Sequence, residues 1–176
     1  MTDETDDDTL GAASAHQDRP PIEVLRDIGI FGGLDDHTLE TFVRNLPTSN
    51  LAPGSAVFRE GDQGRELFVV LGGEMEVLKK SKGDREARVA VLGPGDWFGE
   101  MSILDVMPRS ATVRVLAPSR VLRLSASDLD SLYRRDVKSY AIIVLNVARE
   151  MSRRLRVADG ILAEMIANVT DAYLKR

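Results

Sequence analysis

The chain of 176 residues contains no cysteine, which removes disulfides, thiolate metal sites and cysteine nucleophiles at once. Its two histidines are poorly placed for chemistry: His16 lies in an acidic leader and His37 at a polar helix start, where solvation is the simpler reading. No cluster of His, Asp and Glu with metal-ligand spacing is evident, so no metal or other cofactor is expected. No apolar run approaches the roughly 20 residues a membrane helix needs, and no signal-peptide pattern opens the sequence. These absences point to a cytoplasmic module without a membrane span.

What is present suffices for a core: 43% of residues are hydrophobic, enough for one domain with extensions. The net charge of −5 is concentrated in residues 1–19, where Asp3, Glu4, Asp6, Asp7, Asp8 and Asp18 face the single base Arg19. An acidic, apolar-poor leader of this kind reads as a disordered tail. The remainder is charge-balanced and gives no electrostatic reason to expect nucleic acid.

The most informative segment runs from Trp97 to Val113. Gly99 permits a close backbone turn, and residues 100–103 can form one helical turn whose free N–H groups make an anion site. Arg109 offers two parallel donors to the same anion, and Pro108 stiffens the approach to it. Glu100 would repel a phosphate, so its role is to accept a hydrogen bond from a neutral group, and a ribose hydroxyl fits. A simple surface ion pair between Glu100 and Arg109 is the bland alternative, but it does not explain why Gly, Glu, Pro and Arg occur together.

Phe98-Gly99-Glu100, a short helix, then Pro108-Arg109-Ser110-Ala111-Thr112-Val113 resembles the phosphate-binding cassette of cyclic nucleotide-binding domains. That family includes protein kinase A regulatory subunits, catabolite activators and cyclic-nucleotide-gated channels. The resemblance implies that Glu100 binds the ribose 2′-hydroxyl, that Arg109 binds the cyclic phosphate, and that amides of Gly99, Met101, Ser102, Ser110 and Ala111 complete the cradle. Phe98 belongs to the implied ligand-binding set. Val89, with Val91, would wall the base or simply lie in the core, and Trp97 reads as core packing before a stacking platform.

Along the chain, Pro21 to Ile28 reads as a helix broken by Phe31-Gly32-Gly33, and Asp35 as the N-cap of a second helix carrying Leu39, Phe42, Val43 and Leu46. Six short apolar runs follow, at 56–58, 67–71, 75–78, 89–92, 112–116 and 120–124, separated by Gly, Pro and Asp turns. They predict a mainly β fold with flanking helices, an antiparallel barrel or jelly roll. The resemblance narrows this to an eight-stranded β-roll with N-terminal helices, a short cassette helix and a long C-terminal helix. The expected organisation is a tail over 1–19, the domain over 20–159 and a helical extension over 160–176.

From Val137 the chain is helical, with a stripe of Val144, Ala148, Met151, Leu155, Ala158, Leu162, Met165 and Val169 at alternating spacings of four and three. It suggests a parallel homodimer, or else packing on the β-roll, with Asp159-Gly160 as a point of bending. Arg153 to Val157 is similar to the dimer helix of the catabolite activators, but Ala158-Asp159 stands where that family carries a Thr-Ser pair that reads adenine. Asp159 and Ser110 therefore leave the base open between adenine and guanine. Arg149 and Arg153 cap the base or are solvated. Residues 160–176 are too few for a helix-turn-helix, so direct DNA binding is not expected. The resulting reading is a cyclic-nucleotide receptor, cAMP ahead of cGMP, that moves its C-terminal helix to signal to a separate protein effector. A nucleotide-free dimerisation module on the same fold is the alternative, and an enzyme is not expected.

Overall fold

The computed structural model describes residues 20–81, 83 and 85–174. The expected tail at 1–19, His16 within it and the side chain of Val169 lie outside that description. A short helix α1 (Ile22–Arg26) leads through a 3₁₀ turn (Gly29–Phe31) into α2 (Asp36–Val43). Asp35 caps α2 as the sequence predicts, its carboxylate accepting from the Thr38 amide at 3.0 Å, a contact worth about 1 kcal/mol. Leu39, Phe42 and Val43 form its buried face, packed with Ile30, Phe31 and Trp97 in the larger of two apolar clusters.

The strands are β1 (Thr48–Leu51), β2 (Ala56–Phe58), β3 (Glu66–Lys80), β4 (Glu86–Leu92), β5 (Trp97–Phe98) and β6 (Thr112–Ser125). They join in one antiparallel sheet in which β6 pairs β1, β2 and β3, and β3 also pairs β4 and β5. Among the described residues the sheet has six strands, so the expected count of eight is not confirmed. The apolar runs 67–71 and 75–78 are two halves of one strand, β3, and 112–116 and 120–124 are halves of β6. Both bend without breaking, and the register shifts where Gly72 and Glu74 of β3 pass Arg120 and Ala117 of β6. Gly73 at that corner has φ +89°, which only glycine adopts without strain. The second apolar cluster, inside the roll, holds Phe68, Val70, Met75, Phe98 and Val113.

After β6, Ser125 and Asp128 form a reciprocal capping box at the start of α4 (Ala126–Arg135). The last helix, α5 (Val137–Leu174), runs 38 residues and continues through Asp159-Gly160. Its first turns dock on the N-terminal elements through Ile143 and Val147, both buried, each side chain contributing about 1.5–3 kcal/mol. The Asn146 amide clamps the joint by donating to the carbonyls of Ile30 (3.2 Å) and Gly32 (2.8 Å). Of the expected stripe only Met151 packs on the core; Val144 is half-buried and Ala148 exposed, and Ile143 and Val147 make the docked face. Beyond Arg154 the helix leaves the roll, and Leu155, Leu162 and Met165 stand exposed. No described helix is long and apolar enough to cross a membrane.

Candidate functional site

β5 is held against β3 by the pairs Phe68↔Phe98 and Val69↔Trp97, which delivers Gly99 to a tight turn at φ +86°. A Cβ there would lie 2.7 Å from Nη1 of Arg109 and 2.9 Å from the Glu66 carbonyl, so the close approach itself requires glycine. Glu100 already has helical dihedrals, and the one-turn helix α3 (Met101–Leu104) follows it. The Glu100 carbonyl accepts from the amides of Ile103 and Leu104 at 3.0 and 3.2 Å. A helix of one turn leaves its leading N–H groups without intrahelical acceptors.

Arg109 reaches back beneath this turn. Its backbone is pinned to the β2–β3 connection, donating to the Asp62 carbonyl at 2.8 Å and accepting from Gly61 at 2.9 Å. Its Nη1 donates to the carbonyls of Glu66 (2.6 Å) and Gly99 (3.0 Å) and to Ser102 Oγ (2.7 Å). The guanidinium lies 4.1 Å over the ring of Phe58, and Gly64 leaves it room, since a Cβ there would sit 2.7 Å from Nη2. The residue is only 5% exposed, and its Nε is buried without a partner. Burial lowers the affinity of this guanidinium for its proton, against the raising pull of Glu66, Asp62 and Glu100, yet an arginine stays charged at any physiological pH. A buried cation whose hydrogen-bond partners are all neutral is costly to keep, and an incoming anion offsets that cost.

Glu100 is buried too, and its partner comes from α5. Arg154 Nη1 lies 3.3 Å from Glu100 Oε1, Nη2 donates to the Trp97 carbonyl at 2.9 Å, and Nε to Glu150 at 2.8 Å. One arginine therefore ties the C-terminal helix to the start of β5 and to the turn that follows it. Sequence reasoning missed it and weighed Arg149 and Arg153 instead; these bond Asn146 and Glu150 on their own helix. The available signal was Glu150 four residues before Arg154, a spacing that presents both on one helix face.

The other candidates divide between rim and core. Phe98 is buried and stacks on Phe68 at 5.3 Å, so it supports the floor under Arg109 from within the roll. Ser102 is buried, with Oγ donating to the Gly99 carbonyl at 3.0 Å. Met101 and Ser110 are exposed at the rim, with Ser110 Oγ 3.4 Å from Met101 Sδ, and Ala111 is half-buried. Val89 is exposed and sits at the register shift between β3 and β4, while Val91 pairs with Glu76. Trp97 is buried in the core against Gly29, Asp159 is exposed on α5, and His37 is exposed. Among the described residues no cluster of three or more potential ligands could hold a metal ion.

One backbone angle stands out. Val106, at the apex between α3 and Pro108, has φ +58°, the one non-glycine with positive φ among the described residues. A β-branched side chain pays for that conformation with steric strain. Val106→Gly is therefore expected to raise stability by about 1 kcal/mol in urea denaturation, glycine's larger unfolded-state entropy limiting the gain. An unchanged or lowered midpoint would show that Val106 is not strained in solution.

The chain is similar to known proteins in sequence and in fold. Residues 48–136 match the family model described as cyclic nucleotide-binding domain. The chain is 29% identical to a CRP-like cAMP-activated global transcriptional regulator of Mycobacterium tuberculosis, over 82% of this chain and 62% of that one. It is 32% identical to the cyclic AMP receptor protein of Thermus thermophilus, over 74% and 58% respectively. The chain thus spans about three fifths of the length of these relatives. In three dimensions it is similar to a cyclic nucleotide-binding domain from Methylobacillus flagellatus, with a TM-score of 0.73 at 26% identity over 81% of each chain. The turn that buries Glu100 and the arginine that folds beneath it lie inside or beside matched sequence, and the chain belongs to the cyclic nucleotide-binding domain family.

Proposed function

We propose that this chain is a cytoplasmic cyclic-nucleotide receptor module, taking cAMP ahead of cGMP, that passes ligand occupancy to its C-terminal helix. The observation that carries the reading is Arg109, a buried cation with only neutral hydrogen-bond partners and an unpartnered Nε, 3.0 Å or less from the turn that also presents Glu100. A phosphodiester supplies the missing negative charge, and the bidentate fork of an arginine suits it. Glu100 accepts from the ribose hydroxyl, with amides of Gly99, Met101, Ser102, Ser110 and Ala111 around the phosphate. Phe98 backs the site, and Val89 stands on the strand offered to the base. The names of the relatives, a cAMP-activated regulator and a cyclic AMP receptor, support cAMP as the first ligand to test.

The coupling runs through Arg154. A ribose hydroxyl that engages Glu100 draws on the same carboxylate that holds Arg154, so ligand and helix are linked at one atom group. Such a link shifts α5 only to the extent that ligand binds one helix position more tightly than the other. The exposed distal residues Leu155, Leu162 and Met165 suit a parallel homodimer, and a separate protein effector would read the change. The same stripe favours the second reading, a dimerisation module that binds no nucleotide.

Calorimetric titration of the purified chain with cAMP and with cGMP separates the two. Micromolar or tighter binding to the parent, lost in Glu100→Ala, supports the receptor; no heat and no thermal shift supports the dimerisation module. Arg154→Ala tests the coupling: binding is expected to persist within about tenfold, while the ligand-dependent change in amide exchange along 150–165 disappears. Complete loss of binding in that variant would make Arg154 part of the site instead of a link.

A further inference from the structure

Strand β3 sends alternate side chains into the roll, and Met75 and Val77 join the inner apolar cluster. Lys79 follows two positions on, where the strand emerges from the roll and its side chain is half exposed. The neighbouring pair Leu78↔Thr112 brings it beside the trailing edge of the cassette. There its Nζ donates to the Ser110 carbonyl and lies 3.6 Å from Glu60 Oε1. Glu60 is itself fixed: Oε2 accepts from the Lys80 amide at 2.9 Å, and its own amide donates to Thr112 Oγ1 at 3.0 Å. The Lys80 amide, then the charges of Lys79 and Lys80, hold the Glu60 carboxyl below the usual carboxylate range, so it is ionised wherever the lysine is charged.

We infer that Lys79 is a positioning residue for the phosphate site, its ammonium anchored by Glu60 and occupying the negative end of the Ser110 carbonyl. A bare carbonyl oxygen beside an anion site repels the anion, and an ammonium on that oxygen removes the repulsion while adding a positive charge. The peptide plane carries the effect further. In a trans peptide C=O and N–H point to opposite edges, so fixing the Ser110 oxygen fixes the direction in which the Ala111 N–H donates. This inference rests on the proposal that the cassette binds a cyclic nucleotide.

The test compares the parent with Lys79→Met and Lys79→Arg, using cAMP and its two phosphorothioate diastereomers, in which sulfur replaces one or the other exocyclic oxygen. The parent is expected to discriminate between the diastereomers, because its donors are fixed in direction. Lys79→Met should bind cAMP about tenfold or more weakly and narrow that discrimination, while Lys79→Arg retains both. Parent-like affinity and discrimination in Lys79→Met overturns the inference. So does an equal loss for all three ligands accompanied by a lowered melting temperature, the signature of a merely structural lysine. If the parent binds none of them, the receptor reading itself fails and this role falls with it, a result separable from the others by the parent alone.

Discussion

Arg109→Ala is expected to abolish nucleotide binding, with a loss of more than about a hundredfold, and to destabilise the domain as well. The binding loss follows from removing a charge-assisted bidentate partner from a buried site. The stability loss follows from the acceptors left behind: the carbonyls of Glu66 and Gly99 and the hydroxyl of Ser102 lose their donor, and the ring of Phe58 loses the guanidinium above it. Relief of the desolvated charge offsets part of this, leaving about 2–4 kcal/mol. Arg109→Lys separates the two effects, since it keeps the charge but not the fork. It should fold nearly as well as the parent and still bind at least tenfold more weakly, roughly the worth of one charge-assisted bond. Urea denaturation and calorimetry on both variants check this, and parent-like binding by Arg109→Ala would remove the cassette assignment.

Gly73→Ala is expected to cost more stability than any other single methyl addition on the sheet. The added Cβ would stand 2.2 Å from Ser119 Oγ and 2.5 Å from both the Pro118 carbonyl oxygen and Ser119 Cα. Two of those atoms are backbone on β6, so β3 and β6 must separate at the corner where both strands bend. That displacement, added to the strain of φ +89°, should exceed about 3 kcal/mol and disturb both apolar clusters. Gly54→Ala is the control: its φ is +81° but nothing lies within 4 Å of the new Cβ, so only the conformational cost of about 1 kcal/mol applies. Equal midpoints for the two variants in chemical denaturation would mean the corner yields freely.

The grouping of the candidate site was legible in the sequence where its parts are close along the chain. Gly99, Glu100, Ser102 and Arg109 lie within eleven residues; Gly99, Ser102 and Arg109 form one hydrogen-bonded unit, and Glu100 stands on the same turn. For Arg154 the i, i+4 spacing to Glu150 marks a helix face but not its pairing with Glu100, which spans 54 positions. Strand existence was read from apolar runs, which explains the omissions: β1 is the polar run Thr48–Leu51 at a sheet edge, and β5 is two residues long. The count of eight strands, which the resemblance implies, is not confirmed: Gly72-Gly73 and Ala117-Pro118 each stand between two apolar runs of one continuous bent strand. On α5 the face that docks on the roll shares only Met151 with the stripe read from the sequence, whose other described members stay half-buried or exposed. Ile143 and Val147 face the core, because the direction of docking is set by the N-terminal turn, whose Ile30 and Gly32 carbonyls accept from Asn146 and lie more than a hundred positions away in sequence.

The clamp at Asn146 also gives α5 the mechanics of a lever. If Asn146 is the fulcrum, Arg154 lies about 12 Å along the helix and Leu174 about 42 Å at 1.5 Å per residue. A displacement at Arg154 is then multiplied about three and a half times at the far end of a rigid helix. On the proposed coupling, a shift of the Arg154 guanidinium too small to disturb the packing of the roll would sweep Leu174 through several times that distance, the length of α5 turning a small event at Glu100 into a large displacement.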